Sequence, residues 1–279
     1  MREQRKMKSE KGTAIAMITV ELDNEYIWHS MGDSYRSPKN TSMGTYGTHR
    51  GLLRVLETLK EYGIRATFFI PGMAAEDYPQ EVREIAAQGH EVALHGYAHE
   101  DFAGLAAEEQ RKVLKKGIEA LERVTGKRPA GFRLPEGDCT VETAGLLEEE
   151  GFLYDNSFFD RDLPYVRPEA KLVEIPMRWE TQDFPYFAFG PSFPSGKSRI
   201  AVYDEVLDNW LWELEACCEE GYCFTLKVDP QIIGTPGRIF MLERILAEVS
   251  RRNIWCATGR EVAEAVLAAG DGEKCEGER

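Results

Sequence analysis

The feature that most constrains the fold is rhythm. Eight short runs rich in β-branched and aromatic residues are separated by helical patterns: "TAIAMITVEL", "RATFFIP", "HEVALHG", "AGFRLPE", "FLYDNSF", "KLVEIPM", "YCFTLKV" and "NIWCATG". Parallel strands cannot be joined by tight turns, so a sustained strand–helix repeat predicts a parallel sheet covered by helices. The helical stretches carry their own punctuation. "YPQEVREIAAQG" has Pro79 at its start and Gly89 past its end, and the next helical run places Leu114, Ile118 and Leu121 on one face. "HRGLLRVLETLKEYG" and "TPGRIFMLERILAEVSRRN" behave likewise.

A chain of 279 residues with 43% hydrophobic content can bury a large core, and single α/β barrels of roughly 250 residues are common. No glycine-rich dinucleotide fingerprint follows the first strand, which favours an incomplete (β/α) barrel of seven or eight strands over a doubly wound sheet. One barrel domain is expected over 13–269, with a flexible segment at 1–12 and a flexible tail at 270–279. Two stretches break the rhythm: a polar, aromatic-rich connection from about Asn24 to Thr48, and "RWETQDFPYFAFGPSFPSGKSRIAVYD". Long connections of this kind are usually functional or disordered, and both are candidates to shape a cleft or a subunit contact.

Charge and cysteine usage narrow the partners. A net charge of −14 repels phosphate backbones, and no basic stripe offsets it, so nucleic acid is not expected as a partner. The charged N-terminus lacks the long apolar run of a signal peptide, and no stretch approaches the roughly 20 apolar residues that span a bilayer. These features predict a soluble, cytoplasmic protein with no membrane partner. The six cysteines, Cys139, Cys217, Cys218, Cys223, Cys256 and Cys275, form no CxxC pair and are expected as thiols. Cys217, Cys218 and Cys223 read more simply as small buried side chains than as ligands for a soft metal.

Chemistry concentrates at strand ends. Side chains alternate along a strand, so Thr19, Glu21 and Asp23 share one face of "ITVELD". Two neighbouring carboxylates repel unless a cation or a shared proton relieves them. In "ALHGYAHED" His95 ends a strand, and His99 falls one helical turn further on, a spacing at which two imidazoles can meet one ion. Asp23, His95 and His99 form a candidate three-ligand set with positions left for water and substrate, and Glu21 is then free to take a proton. Arg133 in "FRLPEGD" can orient a carboxylate, and Asp229 in "LKVDPQ" can supply a second acid or base.

Each element has a plainer reading. An HxxxH pair is often a hydrogen-bonded structural pair, and paired acids often cap helices. Arg133 also reads as a structural ion-pair partner, and Asp229 before Pro230 as a turn or cap residue. His90 is expected at a surface or turn. His29 and His49 lie in or beside the long connection, where substrate contact is conceivable. Trp179 either walls a cleft or fills core, with core the simpler expectation.

With these residues in place the sequence resembles the polysaccharide deacetylase family, the NodB-homology carbohydrate esterases. It is most similar to a cytosolic branch of peptidoglycan deacetylase-like proteins and metal-free, allantoinase-like cyclic-amide hydrolases. The resemblance spans about Thr13 to Val266. It rests on "TVELD", "TYGTHRGLLRVLETLKEYGIRATFFIPG", "QGHEVALHGYAHED", "GFRLPEGD", "GFLYDNSF", "VEIPMRWETQDFPYF" and "FTLKVDPQIIGTPGR" in family order.

The resemblance implies an incomplete (β/α) barrel with Asp23, His95 and His99 as ligands of a divalent metal, usually zinc. It implies Glu21 in the position of the catalytic base, Arg133 holding that base, and a homo-oligomer, commonly a tetramer; Trp179 and Pro135 are the candidate substrate-binding residues. Two departures stand out. Glu21 replaces the usual aspartate, and a reach longer by one methylene matters where about 1 Å can cost roughly a hundredfold in rate. Asp229 stands where the family has the histidine that protonates the leaving nitrogen. An ordinary aspartic acid, with a pKa near 3.9, is a poor donor at neutral pH. The expected activity is metal-dependent hydrolysis of a non-peptide amide C–N bond in an N-acetylated or small cyclic-amide substrate. The rival readings are a metal-independent cyclic-amide hydrolase and a ligand-binding protein on a retired catalytic fold.

Overall fold

A computed structural model describes residues 13–135, 137–188, 200–252 and 254–270. Cys275, the N-terminal segment 1–12 and residues 271–279 of the expected tail lie outside the described residues.

The eight anticipated strands are present: β1 (Ile15–Glu21), β2 (Thr67–Ile70), β3 (Glu91–Leu94), β4 (Gly131–Phe132), β5 (Tyr154–Asp155), β7 (Val173–Glu174), β8 (Cys223–Val228) and β9 (Trp255–Cys256). A short strand that the sequence did not signal, β6 (Tyr165–Val166), adds to the edge antiparallel to β7, the one antiparallel pairing among the described residues. The strands run in the order β6-β7-β5-β4-β3-β2-β1-β8, and β9 pairs with the start of β1. Between β8 and the chain beyond β7 the wall is stapled rather than laddered. Gln182 forms a single parallel bridge with Lys227, Thr181 Oγ1 donates to the Thr225 carbonyl at 2.7 Å, and Thr225 Oγ1 donates to the Pro176 carbonyl at 2.8 Å. The result is the curled, incomplete (β/α) barrel that the alternation implied.

The helices in chain order are α1 (Tyr26–Ser30), α2 (Pro38–Tyr46), α3 (Leu52–Glu61), α4 (Gly72–Asp77), α5 (Pro79–Ala87), α6 (Ala107–Thr125), α7 (Thr143–Glu149), α8 (Phe184–Phe187), α9 (Tyr203–Glu220), α10 (Pro230–Ile233), α11 (Ile239–Arg251) and α12 (Gly259–Gly270). Their ends follow from local chemistry. Pro79 opens α5, the Glu109 carboxylate of α6 reaches back to the Ala106 N–H at 3.1 Å, and Gly126 ends α6 in the left-handed region.

The segment 24–48, read as an open connection, is folded. It holds α1 and α2, and α2 begins where Ser37 Oγ accepts the Asn40 N–H ahead of Pro38.

Strand alternation sorts the interior. From β1, Ala16, Ile18 and Val20 face the helices in the larger core, with Phe68 and Ile70 of β2 and Leu226 and Val228 of β8. The opposite faces supply a second core of Met17, Phe69, Ala93, Tyr154 and Val173, into which Val262 and Ala263 of α12 pack. Each fully buried aliphatic or aromatic side chain contributes about 1.5–3 kcal/mol of transfer free energy. The apolar plug lies toward the strand starts. Further along the same inner faces come Thr19, Glu21, His95, Arg133, Lys227 and Asp229, so the alternation that builds the plug also assembles a polar layer at the strand ends.

Candidate active site

Glu21 closes β1 and Asp23 follows two residues on, both buried. His95 follows β3, and its Nδ1 lies 2.9 Å from the Arg133 carbonyl. A carbonyl only accepts, so Nδ1 carries the proton and Nε2 presents a lone pair. Burial depresses the His95 pKa to about 4, so the ring is neutral near pH 7.

His99 arrives by a different route from the expected helical turn. Gly96 and His99 are both left-handed, with φ of 69° and 63°, and the Glu100 carboxylate accepts the N–H groups of Tyr97 and Ala98 at 2.9 Å each. A tight loop, not a helix, therefore folds the second imidazole back over the first. A Cβ at Gly96 would fall 2.8 Å from Glu100 Oε2 and 2.9 Å from Pro135 Cγ, so only glycine fits there. Ser30 Oγ donates to the Ile27 carbonyl at 2.8 Å and lies 3.1 Å from His99 Nδ1. The hydroxyl has one proton, already committed, so Ser30 accepts from Nδ1–H and His99 Nε2 is also a lone-pair donor.

Both Nε2 atoms face the Asp23 carboxylate, His95 at 3.6 Å from Oδ1 and His99 at 3.5 Å from Oδ2. Among the described residues no group donates a hydrogen bond to either Asp23 oxygen, both of which are buried. The potential ligand atoms of the three residues lie within 4.8 Å of one another. Such electron-rich atoms converge favourably only on a cation, so the residues fit a divalent ion. Strain is local to this set. Asn24, next to Asp23, and His99 are the two non-glycine residues with positive φ among the described residues, at roughly 1–2 kcal/mol each.

Glu21 sits beside this set between two cations. Arg133 Nη1 donates to Oε1 at 3.1 Å, and the Lys227 ammonium contacts Oε2. Burial alone would raise its pKa, but the charges of Lys227 and Arg133 outweigh burial and hold the carboxyl well below the usual carboxylate range. Arg133 is locked: Nη2 donates to Thr19 Oγ1 at 2.9 Å and to the Asn156 side chain, Nε donates to the Asn156 carbonyl at 3.1 Å, and the guanidinium lies 4.1 Å from the Phe69 ring centroid. Its fork fixes Glu21 rather than merely neutralising it.

Glu21, His95, Arg133 and Lys227 line a cavity of about 430 Å³, a size suited to a small ligand, together with Pro135, Phe158, Met177 and Trp179. Trp179 is 61% exposed and stacks on Phe159 with centroids 4.7 Å apart, so it walls the cavity mouth and is not a core residue.

Three sequence expectations change. Asp229 is 2% exposed and absent from the cavity lining. Its Oδ1 caps α10 through the Gln231 N–H at 2.9 Å, and its Oδ2 accepts from Gln231 Nε2 at 3.0 Å. Burial, then the charges of Asp23 and Asp183, push its pKa well above the ordinary value. The objection that it is too acidic to hold a proton therefore lapses, while both of its oxygens are engaged by Gln231. His90 is buried, and its Nδ1 accepts the Ala66 N–H at 3.1 Å, instead of lying at the surface. His29 and His49 line no part of the cavity.

The residue not singled out from sequence is Lys227, 7% exposed and on the cavity wall. Its signal was present: alternation along "FTLKVD" puts it on the face it shares with Asp229, in register with Thr19.

Residues 46–154 match the family model for polysaccharide deacetylase. A peptidoglycan deacetylase from Helicobacter pylori is 27% identical over 277 residues, covering 89% of this chain and 94% of that one. A peptidoglycan deacetylase-like protein from Gibberella zeae is 32% identical over 232 residues, covering 70% of this chain and 68% of its own length. A solved structure from Mycobacterium smegmatis assigned to the polysaccharide deacetylases superposes with a TM-score of 0.88 at 34% identity, over 98% of this chain and 97% of that one. With barrel, motif order and extended similarity in agreement, the chain belongs to the polysaccharide deacetylase family.

Proposed function

We propose that this protein hydrolyses a non-peptide amide C–N bond, with a divalent cation, zinc by preference, held by Asp23, His95 and His99. The observation that carries the reading is the convergence of two Nε2 lone pairs on a buried carboxylate that accepts no hydrogen bond. When bound, the ion supplies Lewis acidity, polarising a carbonyl and lowering the pKa of water.

The chain's own residues do the rest. Glu21 faces the cavity as a carboxylate and takes the proton of the attacking water, and Arg133 fixes its direction. Trp179 and Pro135 bound the space for the remainder of the substrate. The names of the relatives favour an N-acetylated sugar, and a cavity of about 430 Å³ is in keeping with a ligand of that size. The thiols at Cys139, Cys217, Cys218, Cys223 and Cys256 support a reducing, cytoplasmic setting. Among the described residues no helix is long and apolar enough to cross a membrane. A homo-oligomer is part of the proposal and is read by light scattering.

The test is metal content and activity together. Wild-type protein should bind about one zinc per chain and lose activity to a chelator, and the double variant His95→Ala, His99→Ala should bind none at that site. Full zinc occupancy in the double variant overturns the ligand assignment. Undiminished turnover by metal-free wild type favours the metal-independent cyclic-amide reading.

A further inference from the structure

Hydrolysis of an amide needs a proton for the departing nitrogen, because an amide anion is too basic to leave. The family's histidine for this step is Asp229 here, whose two carboxylate oxygens are taken up by Gln231 and which is not among the residues lining the cavity. Among the described residues, the ionisable side chains on the cavity wall are Glu21, His95, Arg133, Asp138 and Lys227. Most are otherwise committed. The His95 Nδ1 proton goes to the Arg133 carbonyl, and Arg133 spends Nε, Nη1 and Nη2 on Asn156, Glu21 and Thr19. Asp138 is exposed at the rim, where its Oδ1 accepts the Cys139 N–H at 2.8 Å.

Resting on the amide-hydrolase reading, we propose that Lys227 is the catalytic acid that protonates the leaving nitrogen, and that its contact with Glu21 returns the proton each cycle. The ammonium lies on the cavity wall against Glu21 Oε2, on the opposite side of that carboxylate from Arg133. It emerges from β8 one alternation before Asp229, on the strand that in the family bears the donor.

The protons balance. Water forms a C–O bond to the carbonyl carbon while its proton passes to Glu21 and the carbonyl π pair moves to oxygen. As that pair re-forms the carbonyl, the C–N bond breaks with its electrons on nitrogen, which takes a proton from Lys227. The products are a carboxylic acid, an amine, neutral Lys227 and protonated Glu21. Transfer from Glu21 to Lys227 across their contact restores the ion pair, and the net reaction consumes one water.

The test uses zinc-loaded wild type, Lys227→Met and Lys227→Arg on acetyl compounds graded by leaving group, from N-methylacetamide through acetanilide and 4-nitroacetanilide to 4-nitrophenyl acetate. Loss of a general acid is expected to cost about 10²–10⁴-fold on the poorest leaving groups. In Lys227→Met the loss should shrink steadily as the leaving group improves. Lys227→Arg, which keeps the charge but is a far weaker acid, should not rescue the amides. Calorimetric zinc affinity of the metal-free variants should equal or exceed wild type, because a nearby positive charge is removed or retained and no ligand is touched.

Equal loss along the whole series, rescue by arginine, or collapse of zinc binding each overturns the assignment and makes Lys227 a positioning residue. A wild type that binds zinc yet turns over none of the series refutes the underlying amide-hydrolase reading instead.

Discussion

Replacing Gly96 with alanine isolates how the second imidazole is delivered. The residue has φ 69°, and a left-handed alanine costs roughly 1–2 kcal/mol. The new methyl group would meet Glu100 Oε2 at 2.8 Å and Pro135 Cγ at 2.9 Å. Proline cannot swing aside, so the Glu100 carboxylate yields and weakens its bonds to Tyr97 N and Ala98 N. Hydrogen bonds to a charged group are worth about 1.5–3 kcal/mol, and partial loss brings the expected total to about 3 kcal/mol. At about 2–4 °C per kcal/mol for a domain near this size, Tm should fall by about 6–12 °C. Because the same bonds hold His99 over Asp23, zinc affinity should fall about 10–100-fold, the range seen when a ligand loses its support. Differential scanning calorimetry and zinc titration read the two effects. Gly104→Ala is the control, since a Cβ there meets nothing within 4 Å and φ is not positive. If Gly96→Ala matches that control in both Tm and zinc affinity, the loop does not position His99 as described.

Two further outcomes are expected. His90 is buried with its pKa depressed to about 4 from 6.5, so below about pH 6.5 the unfolded chain gains a proton that the folded chain refuses, and stability is lost as pH falls toward 4. His90→Asn, which keeps an acceptor for the Ala66 N–H, should reduce the drop in urea-unfolding free energy between pH 7.5 and 4.5 by up to roughly 3 kcal/mol, and an unchanged drop would refute the linkage. Trp179→Ala should cost under about 1 kcal/mol of stability, because the ring is mostly exposed, yet raise KM about tenfold on an N-acetylglucosamine oligomer. Unaltered KM would remove Trp179 from the substrate wall.

The strands were legible because their apolar alternation is a property of the sequence. The inner faces then follow, from Met17 and Thr19 to Glu21 and Asp23. The edge strand β6 was not legible: two residues carry no period, and pairing with β7 is a tertiary event. HxxxH correctly brought His95 and His99 together but suggested the wrong path. The glycine between them allows a left-handed turn, and spacing alone cannot tell that turn from a helix. The helix inside 24–48 was announced by Ser37 and Pro38, a start signal hidden by the polar composition around it. Burial is the other gap. Nothing in "QGHEV" or "RWETQ" says that His90 is enclosed and Trp179 open, because both depend on segments distant in sequence. Lys227 was passed over because a lysine in a strand usually points to water, whereas the barrel turns this one inward beside Glu21.

The seam beside β8 divides the molecule's labour. The groups that grip the cation come from β1 and the loop after β3, on a continuous hydrogen-bonded ladder. Much of the rest of the cavity wall comes from Pro135, Phe158, Met177 and Trp179, which follow two-residue strands and lie near a join made by one bridge and a few side chains. Exchanging residues along that lightly fastened side reshapes what fits while leaving the cation's ligands in register. Selectivity and chemistry are thereby free to change separately.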